Sequence, residues 1–130
     1  MIVALTQGMC KMKIIIDIAH YPHINLFKNA IDCLIDLEID VRIIVQPRGN
    51  LTAMLEYELG LPYESFGHYQ SSLFKKILNL AMRDVEVFNY LRKEKCDVVA
   101  GMGSINLTHA AFMLGKPSII FEDDIEYRIA

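Results

Sequence analysis

Tryptophan is absent from this chain of 130 residues, and cysteine and proline are sparse, at three and four residues. The cysteines, Cys10, Cys33 and Cys96, are odd in number, widely separated and form no CxxC pair. That pattern argues against a disulfide framework and fits free thiols in a reducing compartment. Cys33 and Cys96 stand in apolar surroundings and are expected to pack inside. No apolar run reaches the ~20 residues that cross a bilayer. The opening MIVALTQGMCK has no basic stretch ahead of its short apolar run, so it does not read as a secretory signal. Positive charge is not in excess: 13 basic residues face 16 acidic ones, for a net charge of −3. A nucleic-acid binder would usually show a basic face, and none is expected here. Lys75 and Lys76, and Arg92, Lys93 and Lys95 further along, read as a solvated helix face and its C-terminus.

What is present is an alternation of short β-branched runs with amphipathic segments. Residues 1–11 read as an N-terminal extension, and residues 12–130 as one domain, expected to be truncated. Lys13–Ile18 is apolar almost throughout, as in a strand buried on both faces of a parallel sheet. Phe27, Ala30, Ile31, Leu34 and Ile35 recur at helical spacing. Val41–Val45 is a second strand. Asn50 and Gly60 bracket a short second helix. Residues 62–66 form a weak third strand. Ser71 or Ser72 starts a long helix whose expected buried stripe is Phe74, Ile77, Leu78, Ala81, Val85 and Phe88. Asp97–Ala100 is a fourth strand, a helix over Ile105–Leu114 stops at Gly115, and Ser118–Phe121 is a fifth strand. The tail from Glu122 reads as the start of another helix. Serial β-α units imply a Rossmann-like three-layer αβα fold, with a parallel sheet in the order 3-2-1-4-5. In that order the fifth strand is an exposed apolar edge, and such edges are normally covered by further chain or a partner.

Parallel α/β sheets bind ligands at the carboxyl ends of their strands, near the switch point between strands one and four. Three polar segments converge there. The first holds His20 and His23, read as a loop after strand one. Either histidine could act as general acid or base. A chelate is disfavoured, because no third ligand stands at metal-binding spacing, so no metal is expected. The second is Gly101, Met102, Gly103 and Ser104, a loop after strand four. Its glycines allow close backbone approach, and Ser104 can cap the helix or meet a ligand; GxGxxG and the Walker lysine are both missing. The third is Glu122, Asp123 and Asp124, which can cap a helix, bind hydroxyls or orient a histidine. His68 and Tyr69 follow strand three. Asp17, flanked by isoleucines, requires a polar partner and is expected to bond a neighbouring loop. His109 reads as a surface or packing residue. A receiver domain would need acidic residues where His20 stands. A dinucleotide-binding domain would need a glycine-rich turn after strand one.

The run MKIIIDIAHYPHINLFKN, with Asp17, Ile18, Pro22, His23, Phe27 and Lys28 at the matching positions, resembles the opening of prokaryotic proteins of domain-of-unknown-function family 354 (DUF354). RGNLTAMLEYELGLPYESFGHY and LGKPSIIFEDD resemble the second unit and the fifth strand of that family, so the similarity spans nearly all of residues 12–130. Where members often carry Thr-Glu-His after the acidic segment, this chain has Asp124, Ile125, Glu126 and Tyr127. The family is similar to GT-B glycosyltransferases and, more distantly, to UDP-sugar 2-epimerases. The resemblance implies the N-terminal, acceptor-side half of a longer protein. It implies His20 or His23 as base, with Gly101, Gly103, Ser104, Glu122 and Asp123 on the substrate. It brings no cofactor to this half; the nucleotide-sugar donor is expected on a missing C-terminal domain. A sugar or lipid-linked acceptor is expected, with a complementary C-terminal half or a second copy as protein partner. The implied setting is cytoplasmic, with at most peripheral membrane contact. The alternative is a non-catalytic binding module or a subunit of a heteromeric glycosyltransferase.

Overall fold

The computed structural model describes residues 12–47, 49–66 and 72–121. Five parallel strands, β1 (Lys13–Ile18), β2 (Asp40–Val45), β3 (Tyr63–Ser65), β4 (Val98–Met102) and β5 (Ser118–Phe121), form one sheet in the order 3-2-1-4-5. Four helices connect them: α1 (Tyr21–Asp36), α2 (Leu51–Glu58), α3 (Leu73–Glu94) and α4 (Ile105–Met113). This is the expected Rossmann-like arrangement. β1 lies between β2 and β4, and Ile14–Ile18 are buried throughout.

The alternation of side chains along each strand divides the interior in two. Ile14, Ile16 and Ile18 face α1 and α2, where they meet Ile24, Phe27, Ile31, Leu51 and Leu55. Ile15 faces α3 and α4, among Ile44, Val87, Leu91, Val99 and Leu107. Burying each such aliphatic side chain stabilises the fold by roughly 1.5–3 kcal/mol.

Four expectations shift. First, α1 begins at Tyr21, so His23 lies in the first helical turn and not in a loop. Pro22 explains this, since proline is favoured at the start of a helix, where an N–H would have no partner. The inward stripe of α1 becomes His23, Ile24, Phe27 and Ile31, while Ala30, Cys33 and Ile35 are exposed. Cys96 is buried as expected. Second, β4 runs on through Gly101 and Met102, because its pairing with β5 extends to Phe121.

Third, α3 buries Arg83, Val87 and Leu91, not the anticipated stripe. Phe74 is 76 % exposed, Ile77 61 % and Val85 59 %, and Phe88 is half-buried. The two stripes are roughly a third of a turn apart at ~100° per residue. Periodicity finds both, and only the sheet selects one. Fourth, Ser72 and Asn50 hold the N-cap positions of α3 and α2, yet neither caps through its side chain. β5 is the expected exposed edge, with Ile119 and Phe121 about half open. The expected helix from Glu122 lies outside the described residues.

Candidate functional site

The centre of the site is Asp17, in the last turn of pleat of β1. It points to the α3/α4 side and is 3 % exposed. A buried carboxylate needs opposite charge and hydrogen-bond donors. Arg83 of α3, equally buried, supplies both, with Nη2 3.1 Å from Asp17 Oδ1. The Ser104 hydroxyl donates to the other carboxylate oxygen. Arg83 also donates to the Phe66 carbonyl at 3.2 Å and to Asn106 Oδ1 at 2.8 Å. The Asn106 amide in turn donates to Asp84, whose second oxygen is 3.2 Å from His109 Nδ1. One polar chain thus runs from Ser104 through Asp17, Arg83, Asn106 and Asp84 to His109.

Both ends of that chain open into one cleft. It holds about 210 Å³ and is lined by Gly103, Ser104, Ile105, Thr108, His109 and Ile120. Gly103 has φ +57°, in the left-handed region that favours glycine, and its N–H donates to the Phe121 carbonyl at 3.0 Å. Gly101 has a different reason to be glycine. A Cβ there would stand 3.2 Å from Ser104 Cβ and 3.4 Å from Asp17 Cβ. Gly101 is buried within β4 and is not among the residues lining this cleft; it lets Ser104 reach Asp17.

A second cleft of about 300 Å³ opens on the same carboxyl edge. It is lined by Ala19, His20, Tyr21, Asn50, Leu51 and Met54. His20 is exposed at the N-cap of α1, in extended conformation. His23 is buried behind it. The two rings meet edge to face with centroids 5.3 Å apart. The Ala19 N–H donates to His23 Nδ1 at 3.2 Å. That bond fixes Nδ1 as an acceptor, so the neutral ring carries its proton on Nε2.

The structure therefore sets His20, at one cleft, against the buried His23, and brings Gly103 and Ser104 together at the other. Asp17 has the loop partner that its burial demanded. Glu122, Asp123, Asp124, His68 and Tyr69 lie outside the described residues. Arg83, Asp84, Asn106 and the cleft position of His109 were not read from the sequence. A signal existed: Arg83-Asp84 interrupts an apolar stretch of α3, and a charge on its buried side needs partners. Among the described residues, no three His, Cys, Asp or Glu side chains are placed to hold a metal ion. None of the helices in the described residues is long and apolar enough to cross a membrane.

A doubly wound unit with clefts at its switch point is the architecture of one half of a GT-B protein, and the comparisons with solved structures agree. MurG from Acinetobacter baumannii superposes with a TM-score of 0.69 at 19 % identity, over 87 % of this chain and 35 % of that one. UDP-GlcNAc 2-epimerase from Methanocaldococcus jannaschii gives 0.64 at 25 %, over 84 % and 31 %. The C-terminal domain of the PF1911 hydrogenase from Pyrococcus furiosus gives 0.62 at 16 %, over 85 % and 91 %. The fold alone therefore does not fix a reaction. The chain spans about a third of the length of the first two. None of the curated proteins matches it by sequence. Residues 12–130 match the family model described as "Protein of unknown function (DUF354)", and the chain belongs to that family.

Proposed function

We propose that this chain is the acceptor-side half of a glycosyltransferase-like protein that works with a nucleotide-sugar-binding C-terminal domain. The observation that carries this reading is the pair of clefts flanking the β1/β4 switch point in a GT-B-type unit. His20 is the base: it is exposed at one cleft, and an imidazole nitrogen can take a proton from a hydroxyl within hydrogen-bond reach. His23, buried against it, is a positioning residue that fixes the ring of His20. In the proposed step His20 removes the proton of an acceptor hydroxyl. That oxygen then bonds to the anomeric carbon of the donor sugar, whose bond to the nucleoside diphosphate breaks. Gly103 and Ser104 meet the substrate by backbone and hydroxyl, and Gly101 acts behind them by packing. Asp123 and Glu122 are assigned to acceptor binding or to orienting a histidine. The acceptor is a sugar or a lipid-linked acceptor, the chain itself holds no cofactor, and the setting is cytoplasmic.

The test is release of nucleoside diphosphate from a panel of nucleotide sugars by the full-length protein. His20→Ala should lower turnover by about 10²-fold or more, the usual contribution of a general base. Unchanged turnover in His20→Ala would sink the assignment. The epimerase likeness, at 25 % identity, supports a second reading in which the sugar is epimerised. That reaction needs no acceptor, so product formation from the nucleotide sugar alone separates the two.

A further inference from the structure

α3 and α4 pack side by side on one face of the sheet, and a cleft of about 450 Å³ opens between them. Its lining includes Phe88 from α3 and Phe112 and Met113 from α4, which are apolar, and Asp84, Thr108 and His109, which are polar. Phe112 and Met113 are exposed, and Phe88 is half-buried. The Arg92 guanidinium stands 5.9 Å from the Phe88 ring centroid, within cation–π range. Aromatic rings and a thioether favour a flat apolar ring as guest. The volume falls in the range of ~300–1,000 Å³ typical of small-molecule sites, where apolar walls carry a few placed polar groups.

The polar groups of this cleft are set from behind. A guanidinium only donates. Arg83 Nη1 donates to Asn106 Oδ1 at 2.8 Å, so the Asn106 amide nitrogen faces the other way and donates to Asp84 Oδ1. Asp84 Oδ2, a second acceptor, is 3.2 Å from His109 Nδ1. Two acceptors cannot bond each other, so in the neutral ring Nδ1 carries the proton and Nε2 keeps the lone pair. This is the opposite tautomer to that of His23. The Thr108 hydroxyl is already committed, donating to the Ser104 carbonyl at 2.7 Å. His109 Nε2, on an exposed ring, is therefore an acceptor held ready for a donor on the guest. An anion would be repelled by Asp84 and a cation by Arg92, which leaves a neutral donor. Thr108 and His109 also line the cleft of Ser104, so that donor would lie where the two clefts meet.

We infer that the cleft between α3 and α4 binds a neutral hydroxylated aromatic molecule, its ring against Phe88, Phe112 and Met113 and its hydroxyl donating to His109 Nε2. The inference does not rest on the reaction proposed above, and its test involves no turnover. The probe is β-naphthol, titrated calorimetrically into the full chain beside its methyl ether, which keeps the ring and cannot donate. The ether should bind at least about fivefold more weakly. His109→Phe keeps a ring and removes the acceptor, so β-naphthol and the ether should then bind within about twofold of each other. Asp84→Asn should have the same effect with His109 intact, because an amide in place of the carboxylate can donate to Nδ1 and move the ring proton to Nε2. A merely structural Asp84 would leave the ratio of the two ligands unchanged. Phe112→Ser should weaken both ligands alike, by about threefold. His109 and Phe112 are exposed, so their variants should keep the wild-type circular dichroism. Phe74→Ser, at an exposed phenylalanine outside the cleft, should change binding by less than about twofold. The inference is overturned by no binding of β-naphthol, by equal binding of the ether, or by discrimination that survives in either His109→Phe or Asp84→Asn. It is also overturned by an equal loss in Phe74→Ser, or by a wild-type dimer that Phe112→Ser makes monomeric.

Discussion

The two faces of the sheet are filled by different chemistry. On the α1/α2 face, isoleucine, leucine, valine and phenylalanine side chains interdigitate around Ile14, Ile16 and Ile18, with His23 at the upper edge. On the α3/α4 face, an apolar floor of Ile15, Val87, Leu91 and Val99 is topped by Asp17, Arg83 and Asn106, all buried. The first face holds the fold by area alone. The second sets geometry as well, because a buried ion pair is stable only where every donor and acceptor meets its partner. Among the described residues, no buried side-chain nitrogen or oxygen is left without one. The polar face is also the one that reaches Ser104 and His109.

That contrast can be broken most forcefully at Arg83. Arg83→Met leaves Asp17 buried without its counter-charge and should cost about 3–5 kcal/mol in urea unfolding. Adding Asp17→Leu to the same chain should return much of that loss, since apolar replacement of a whole buried pair is far milder than breaking it. A loss below about 1 kcal/mol for the single variant would show that the two faces do not differ in kind. Gly103→Ala comes next. The new Cβ meets nothing within 4 Å, so the loss reflects the left-handed backbone alone, about 1–2 kcal/mol. On the dry face, Ile31→Val should cost about 1 kcal/mol. It should add to Arg83→Met within about 0.5 kcal/mol, because the two sites share no partner. A larger interaction energy would mean that the faces communicate through β1.

A further effect is one of pH. Tyr90, packed on the polar face, has its phenol pushed up to about 12, first by burial and then by Glu94. Between pH 10 and that value the unfolded chain has lost the phenolic proton and the folded one keeps it. Stability should therefore fall as pH rises through this window, and Tyr90→Phe should flatten the fall. An unchanged slope in Tyr90→Phe would remove Tyr90 as its source.

The same contrast explains what could be read in the sequence. Strand order, edge position and the apolar face of β1 were legible because they follow from short β-branched runs and serial β-α units. Ser118–Phe121 and Lys13–Ile18 are found at the expected residues. Errors fell where an apolar pattern has more than one solution. α3 carries two apolar stripes, and the buried one includes Arg83, whose place there makes sense only beside Asp17. Asp17 announced a partner, but that partner is 66 residues away and no local rule points to it. His109, read as a surface or packing residue, is indeed exposed; only its link to Asp84, 25 residues earlier on another helix, was not legible. His23 was displaced from loop to helix by Pro22, which reads equally well as a turn residue and as a helix opener.

The connection between Asp17 and its partners also sets an order of events during synthesis. A chain emerging from the ribosome exposes β1, α1, β2 and α2 first, and these can cover the dry face of β1 as soon as they appear. The opposite face must wait. Arg83 is made 66 residues after Asp17, and the Ser104 hydroxyl 87 residues after it. The polar face of β1 can therefore be completed only after α3 and the turn before α4 have been made.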